Sequence, residues 1–399
     1  MPFGEQYRAA AQFYRLRGIF PPVTPTYDVI VVGLGAMGSA TAYHLAARGA
    51  KVLGIDQYTP PHDFGSSHGE SRIIRLVYYE HPLYVPMLQR AYELWRKLEQ
   101  DSSQSNLLRV TGNLMLGHEN SGLIHGARRA AEEYDLDLEE IHTSRLQERF
   151  PQFIPLPGFR ALLDPAGGFL NPERCVKTHL DEAVRHGATL QTGERVVSWT
   201  PVGDGVRVRT SKGSYEAGKL VLAAGPWMSE LLGETGPVLT LERQTLVWFQ
   251  PPGERAMWTP DRFPVFMCEF DDGQLIYGFP FGSRGWKVAV HYQGELVEEM
   301  RTMRRTIEPH DVARVRSAVS RLFDWAHDAP LLDSAACVYT DTADLRFVID
   351  FLPGIPQVLV SSACSGHGFK FASVIGEMQA QMVLDGKCAF DVEPFRIDR

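Results

Sequence analysis

"YDVIVVGLGAMGSATAYHLAARGAKVLGIDQ", residues 27–57, decides the fold. Residues 29–32 form an apolar run of strand length, and Gly33, Gly35 and Gly38 follow in GxGxxG spacing. Residues 39–48 read as a helix stopped by Gly49, and a second apolar run over 51–55 ends in Asp56. Each part has a physical task. Gly33 permits a tight turn, Gly35 lets the backbone approach a pyrophosphate, and Gly38 allows close packing of helix on strand. The helix N-terminus offers N–H groups and a partial positive charge to phosphates. Asp56 stands where a carboxylate accepts hydrogen bonds from a ribose. A lone GxGxxG is a weak signal. Here strand, turn, helix, strand and acid fall in order, which predicts a βαβ dinucleotide site over an ordinary glycine-rich βαβ turn. NAD and FAD both carry an adenosine ribose, so this motif does not choose between them.

Helix and strand signals alternate through the rest of the chain without internal repeats. Residues 82–100 read as a helix, "LLRVTGNLMLG" as a strand or hairpin, and 171–186 as a helix with Asn171 as N-cap and Pro172 in its first turn. "GVRVRTSKGSYEAGKLVLAAGPW" reads as two alternating strands about a Lys-Gly turn, then a third apolar strand opening onto Ala224, Gly225 and Pro226. Small residues after a buried strand suggest close approach of backbone to a ligand. Residues 242–292 are a strand-rich meander: "RQTLVWFQ", "PVFMCEF", "QLIYGFPF", "GWKVAVHY". "QVLVSSACSGHGFKFASVIGEMQAQMVLDG" then repeats the order of apolar strand, glycine turn and helix. The expected fold is α/β: a discontinuous Rossmann-type nucleotide domain over 27–104, 168–238 and 339–390. A mixed, largely antiparallel α+β substrate domain is expected over 105–167 and 239–338.

With 399 residues, two domains are the natural expectation. A net charge of -8 disfavours a generic nucleic-acid or membrane-surface binder, and no apolar run reaches membrane-spanning length. Cys175, Cys268, Cys337, Cys364 and Cys388 show neither CxxC nor Cys/His metal spacing; a sparse, odd set fits a reducing compartment, and no metal site is expected. Residues 1–26, with Arg8, Arg15 and Arg17 against Glu5 and a "PPVTP" end, read as a loosely held arm or crossing helix rather than a transit peptide. The chain ends "FRIDR", without a peroxisomal tripeptide, so a cytoplasmic location is expected.

"GSSHGESRIIRLVY" follows the nucleotide motif closely and holds His68, Arg72 and Arg75; arginine suits bidentate carboxylate recognition, while a solvated turn pairing with surface acids fits as well. In "GWKVAVHYQG", Lys287 and His291 lie four apart and share a strand face, which either meets solvent or points into a cleft. "SGHGFKF" places His367 and Lys370 just after a buried strand, where doubly wound folds bind ligands. Cys337, in "ACVYT", reads more readily as core than as a reactive thiol, which needs an electropositive, partly exposed setting.

Together, "GLGAMG", "GSSHGESRIIR", "IYGFP", "GWKVAVHY", "ACVYT" and "SGHGFKFA", in this order from Tyr27 to about Phe395, resemble the monomeric sarcosine oxidase family of the D-amino-acid-oxidase superfamily, which includes N-methyltryptophan and pipecolate oxidases. The resemblance implies FAD and an oxidase of sarcosine or related secondary amino acids. Such an enzyme converts the C–N bond to an imine, which water hydrolyses, and reduces O2 to hydrogen peroxide. It implies a thioether from Cys337 to FAD, with His68 and Arg72 beside the flavin. Lys287 then activates oxygen, with His291 also in the reacting centre, and Arg75 and Lys370 bind the substrate carboxylate. Tyr277, His291 and Tyr339 line the substrate cavity. Cofactor contacts are implied for Gly33, Gly35, Ala36, Met37, Gly38, Asp56, Gln57, Ser67, His68, Ser71, Arg72, Val196, Ala224, Gly225, Trp227, Gly366, His367, Gly368 and Lys370. A monomer acting on a small amino acid and O2 is the corresponding expectation. Ser67 stands where relatives often carry a second histidine, "PFGSRGWK" is a residue shorter than in some, and Tyr78, Phe279 and Trp286 can reshape the cavity. Proline, pipecolate or fructosyl amino acids therefore stay open as substrates, as does a flavin-binding subunit without turnover.

Overall fold

The computed structural model describes residues 26–399; the N-terminal arm lies, but for Thr26, outside the described residues. The chain divides into two compact units. One comprises residues 26–67, Glu173–Leu241 and Tyr339–Arg399, the other His68–Pro172 and Glu242–Val338.

The first unit is built on an eight-stranded sheet. Its centre is parallel: Thr189–Gln191, Val52–Ile55, Tyr27–Val32, Ser214–Leu222 and Ile355–Ser362 lie side by side. Val196–Val202, Gly205–Thr210 and Val348–Leu352 add antiparallel strands. Val29 to Val32 and residues 52–55 are buried throughout, as the continuous apolar runs require of strands covered on both faces. The expected third strand of the 205–226 segment is instead the continuation of the second. Ser214–Leu222 runs unbroken, pairing antiparallel at its start and parallel at its end. Helices Ala36–Ala47 and Ala372–Asp385 pack together through small residues; a Cβ on Gly376 would come within 2.6 Å of the Ala40 backbone. Thr41 and Gln379 hydrogen-bond across this contact at 2.7 Å.

The second unit is organised by a nine-stranded sheet. Its order is Glu295–Val297, Thr240–Phe249, Trp286–His291, Leu275–Phe281, Val265–Glu269, Asn113–His118, Phe159–Asp164, Glu139–Ile141, with Leu331–Asp341 added against Thr240–Phe249. Its central pairs are antiparallel, and Val265–Glu269 against Asn113–His118 is parallel. "LLRVTGNLMLG" is not a hairpin. Gly112, at φ +77°, turns the chain so that Leu108–Val110 joins a small three-stranded sheet while Asn113–His118 joins the large one. Residues 68–104, grouped by the sequence reading with the nucleotide segments, cluster with this second unit. Arg72–Ile74 pairs with Gly168–Leu170, Val77 packs with Met115 and Leu162, and Glu99 on helix Val85–Ser102 accepts the Leu107 and Leu108 N–H groups.

Strand alternation gives this sheet two unlike faces. Val247, Phe249, Trp286, Val288 and Val290 enter one large core with Phe153, Phe263, Phe266 and Phe323. Leu246, Trp248, Ala289 and Cys337 form a smaller cluster, with Tyr277 and Ala335 packed on it. Lys287 and His291 share the strand face of Ala289, as the spacing predicts.

Candidate functional site

The glycine turn of the first unit fits a dinucleotide. Gly33 has φ +87°, and a Cβ there would fall 2.5 Å from the Ala223 carbonyl oxygen; at Gly38 a Cβ would lie 1.7 Å from the Gly33 oxygen. Gly35 differs. The first atom a Cβ would meet there is Ser67 Oγ, at 3.4 Å, so the turn keeps an open approach at this point. Helix Ala36–Ala47 starts without a side-chain cap on its N-cap residue, which leaves backbone donors of its first turn for a ligand. Ser67 Oγ accepts from the Ala36 N–H at 3.1 Å. Asp56 is buried and braces the turn: Oδ2 accepts from the Leu34 N–H at 2.7 Å, and Oδ1 from the Tyr58 N–H at 2.8 Å. Each oxygen keeps a second lone pair. Met37 is buried at the helix start and Gln57 is half-buried beyond Asp56.

Other predicted positions in this unit divide by role. Ala223 donates its N–H to Val32 O, and Ala224 and Gly225 (φ +53°) lead into the short helix Gly225–Trp227, whose Trp227 ring lies 5.7 Å from Tyr58. Val196 is a core residue, in one hydrophobic cluster with Ile30, Leu53 and Leu220. At the second glycine turn, Gly366 has φ +69° and a Cβ on Gly368 would collide with Ala363 O at 1.7 Å. His367 stacks on Phe347, and one ring nitrogen, Nε2, lies 3.0 Å from Leu345 O. Lys370 is buried and donates to His367 O at 2.7 Å. Tyr339 is half-buried on strand Leu331–Asp341.

The second unit gathers a cationic group around the buried Lys287. Lys287, 1% exposed, donates to Gly69 O at 2.7 Å, Ser71 O at 2.8 Å and Ser71 Oγ at 3.3 Å, with the Phe279 ring centroid 4.7 Å from its Nζ. The solvent-facing alternative for this lysine is thereby excluded. Arg72 donates to Ser71 O at 2.8 Å and to Cys337 Sγ at 3.5 Å. All five cysteines are unbridged; Cys337 is buried, with the Arg72 guanidinium beside its sulfur, so it meets the cationic half of what a reactive thiol needs but not the partial exposure. His68 is buried beside these groups. Burial first, then the charges of Arg72 and Lys287, push its pKa down to about 3, so the ring is neutral near pH 7. Its Nε2 has no hydrogen-bond partner among the described residues.

Arg75 is buried and already holds a carboxylate, that of Glu80, with Tyr78 and Tyr79 rings 4.6 and 4.9 Å from its guanidinium carbon. Burial works against its charge, and Glu80 outweighs burial and holds the guanidinium above its usual range. Its Nε is buried and has no hydrogen-bond partner among the described residues. Tyr277 and His291 meet edge to face at 6.0 Å, and Tyr277 meets Phe279 at 5.9 Å. Sequence reasoning missed Glu70, Glu80, Trp248 and Arg284. Glu70 Oε2 accepts from Trp248 Nε1 at 3.1 Å, and the Arg284 guanidinium carbon lies 3.8 Å from the Trp248 ring centroid. One signal was present: Trp248 sits on the strand paired with that of Lys287, in register with it. Among the described residues no group of three or more His, Cys, Asp or Glu could hold a metal ion.

A parallel-centred βαβ unit with a glycine cradle, in one chain with a mixed-sheet unit that carries a buried lysine, fits a dinucleotide-dependent enzyme, and the relatives specify the flavin. Residues 28–382 match the FAD dependent oxidoreductase family (DAO), and the chain belongs to it. It is 40% identical to a monomeric sarcosine oxidase of Streptomyces avermitilis, over 94% of this chain and 97% of that protein. It is 33% identical to an N-methyl-L-tryptophan oxidase of Escherichia coli O127:H6, over 94% and 99%. Among solved structures it resembles NikD, an unusual amino acid oxidase essential for nikkomycin biosynthesis, with TM-score 0.81, 25% identity, and coverage of 94% of this chain and 98% of that one. The protein is thus a flavin-dependent oxidoreductase.

Proposed function

We propose that the protein oxidises sarcosine or a related N-methyl or secondary amino acid at its C–N bond, with oxygen as electron acceptor and hydrogen peroxide as product. The carrying observation is the group of Lys287, His68 and Cys337, all buried, with the half-buried Arg72 beside them in the second unit, because three polar side chains and a cation are gathered at one place. The names of the sarcosine and N-methyltryptophan oxidase relatives support the substrate class. Bound FAD would supply the two-electron redox chemistry that amine oxidation and oxygen reduction need.

The chain's residues supply positioning and charge. The two glycine turns, with Asp56, Ser67 and Trp227, would hold the nucleotide, and Cys337 is the residue that would tether FAD through a thioether, the two electrons released on losing the thiol and methyl hydrogens passing through the flavin to oxygen. Arg75 and Lys370, both buried, are the cations proposed to bind the substrate carboxylate, and the unpartnered Nε of Arg75 supports its part. Tyr277, Tyr339 and His291 orient the amine. Lys287 stabilises negative charge developing on oxygen, since a fixed ammonium in a dry site needs no solvent reorganisation. The word monomeric in the relatives' names supports a monomer, and a cytoplasmic enzyme is the matching proposal.

Peroxide release across N-methyl amino acids, cyclic imino acids and fructosyl amino acids tests the substrate. Turnover of an N-methyl amino acid is expected, and turnover of fructosyl amino acids alone would overturn the proposal. Acid precipitation followed by peptide mapping tests the tether. Flavin is expected on the Cys337 peptide; flavin that washes out after reincubation with FAD would return Cys337 to a packing role.

A further inference from the structure

We propose that Glu70 is a positioning residue for Lys287, acting through the Gly69–Ser71 turn and clamped by Trp248, Ser283 and Arg284. The inference rests on the role given to Lys287 above. An ammonium has three donors, and three oxygens that accept from Lys287 belong to the residues on either side of Glu70. The position of the charge is therefore set by the path of that turn. The path is uncommon. Gly69 has φ +91° and Glu70 has φ +72°, a left-handed conformation that a glutamate keeps only where its surroundings impose it.

The side chain of Glu70 provides that constraint. Oε1 accepts from the Ser283 N–H at 2.5 Å and from Ser283 Oγ at 2.6 Å, while Oε2 accepts from Trp248 Nε1. Gly282 leaves the space: a Cβ there would lie 2.7 Å from Oε1. Ser283 belongs to the connection between strands Leu275–Phe281 and Trp286–His291, the second of which carries Lys287. Trp248 is fully buried, is paired with Lys287 in register, and has its ring centroid 5.7 Å from Nζ. Arg284 lies on the Trp248 ring and is tied to Asp333 Oδ2 at 2.6 Å. One carboxylate thus joins the turn that holds the ammonium to the two strands that flank it. Trp248 also packs on Cys337, so the clamp borders the sulfur as well.

The test uses the flavin-loaded protein and needs no amino acid substrate for its decisive step. Glu70→Gln keeps the shape and one acceptor, but turns an NH2 toward groups that are themselves donors. Trp248→Phe, a milder second variant, keeps the ring and removes the donor. Each is reduced with dithionite without oxygen and mixed with oxygen. Separately, Lys287 is labelled with limiting acetic anhydride and read by peptide mass spectrometry. Glu70→Gln is expected to acetylate Lys287 several-fold faster and to reoxidise about tenfold to a hundredfold more slowly, while anaerobic reduction by the amino acid is unchanged. Trp248→Phe should move both in the same direction by less. Wild-type labelling and reoxidation in both variants, with Lys287→Met still slow to reoxidise, would overturn the inference and leave the role of Lys287 standing. Equal losses in reduction and reoxidation would also overturn it, because they mark general damage. Normal reoxidation of Lys287→Met would instead remove the role of Lys287, and the labelling would then decide the geometry alone.

Discussion

The two faces of the nine-stranded sheet are made by the same strands and do opposite things. On strand Trp286–His291, Trp286, Val288 and Val290 enter an aromatic core with Phe153, Phe263, Phe266 and Phe323. One residue along, Lys287, Ala289 and His291 share the face of Cys337 and Trp248. Every residue of the strand is buried, so burial does not distinguish the faces. What differs is chemistry. The first face gains stability from apolar area, and the second holds a cation by hydrogen bonds to backbone oxygens. A strand's two-residue period lets one sheet carry a stabilising layer and a reactive layer, and a one-residue slip would exchange them.

Substitutions on either side can break that contrast. Trp286→Ala on the packed face should cost about 3–5 kcal/mol in urea unfolding, the range of large-to-small core changes, since Phe266 and Phe323 rings lie within 6.1 and 4.8 Å of it. Lys287→Met on the other face should slow reoxidation by about a hundredfold, or about 2.7 kcal/mol, with the thermal midpoint little changed. A rapid-mixing measurement beside a melting curve checks both halves of that statement.

A third test uses pH. Folded His68 stays neutral down to about pH 3, while the unfolded ring protonates below its ordinary 6.5. In that window the unfolded state binds the extra proton, so stability falls as pH falls, by at most about 1.4 kcal/mol per pH unit. Above 6.5 the residue contributes no pH dependence. Urea midpoints for His68→Asn should show a flatter acid limb than the wild type. The smallest effect is expected at Thr245, which shares the strand face of Val247 and Phe249. Its buried hydroxyl has no hydrogen-bond partner among the described residues. Thr245→Val should stabilise by about 1 kcal/mol, and a loss of stability would show that this face is less dry than described.

The nucleotide half was legible because its signal is local. Strand, glycines, helix, strand and Asp56 fall within 31 residues of "YDVIVVGLGAMGSATAYHLAARGAKVLGIDQ", and each glycine meets the steric need its place implies. The shared face of Lys287 and His291 was legible from alternation. Whether that face met water was not, because the answer lies in the Gly69–Ser71 turn, more than two hundred residues away in sequence. The same holds for Glu70: its partners Trp248 and Ser283 are separated from it by 178 and 213 residues. Residues 68–104 were grouped with the first unit because they follow its motif, yet strand pairing with Gly168–Leu170 and shared packing assign them to the second. Arg75 was found by pattern, but its pairing with Glu80 was not, since an acid five residues on carries no signal that it folds back.

Amine oxidation with oxygen as acceptor is tested by one experiment on the whole cycle. The purified yellow protein is mixed without oxygen with sarcosine, N-methyl-L-tryptophan or L-proline, and then with oxygen, while flavin absorbance is followed. Bleaching by a secondary amino acid is expected, with full return of colour on adding oxygen and one hydrogen peroxide per cycle, and Arg75→Ala should need far more substrate for the same bleaching. A flavin that no amino acid bleaches, or that bleaches and is not restored by oxygen, would contradict amine oxidation with oxygen as acceptor.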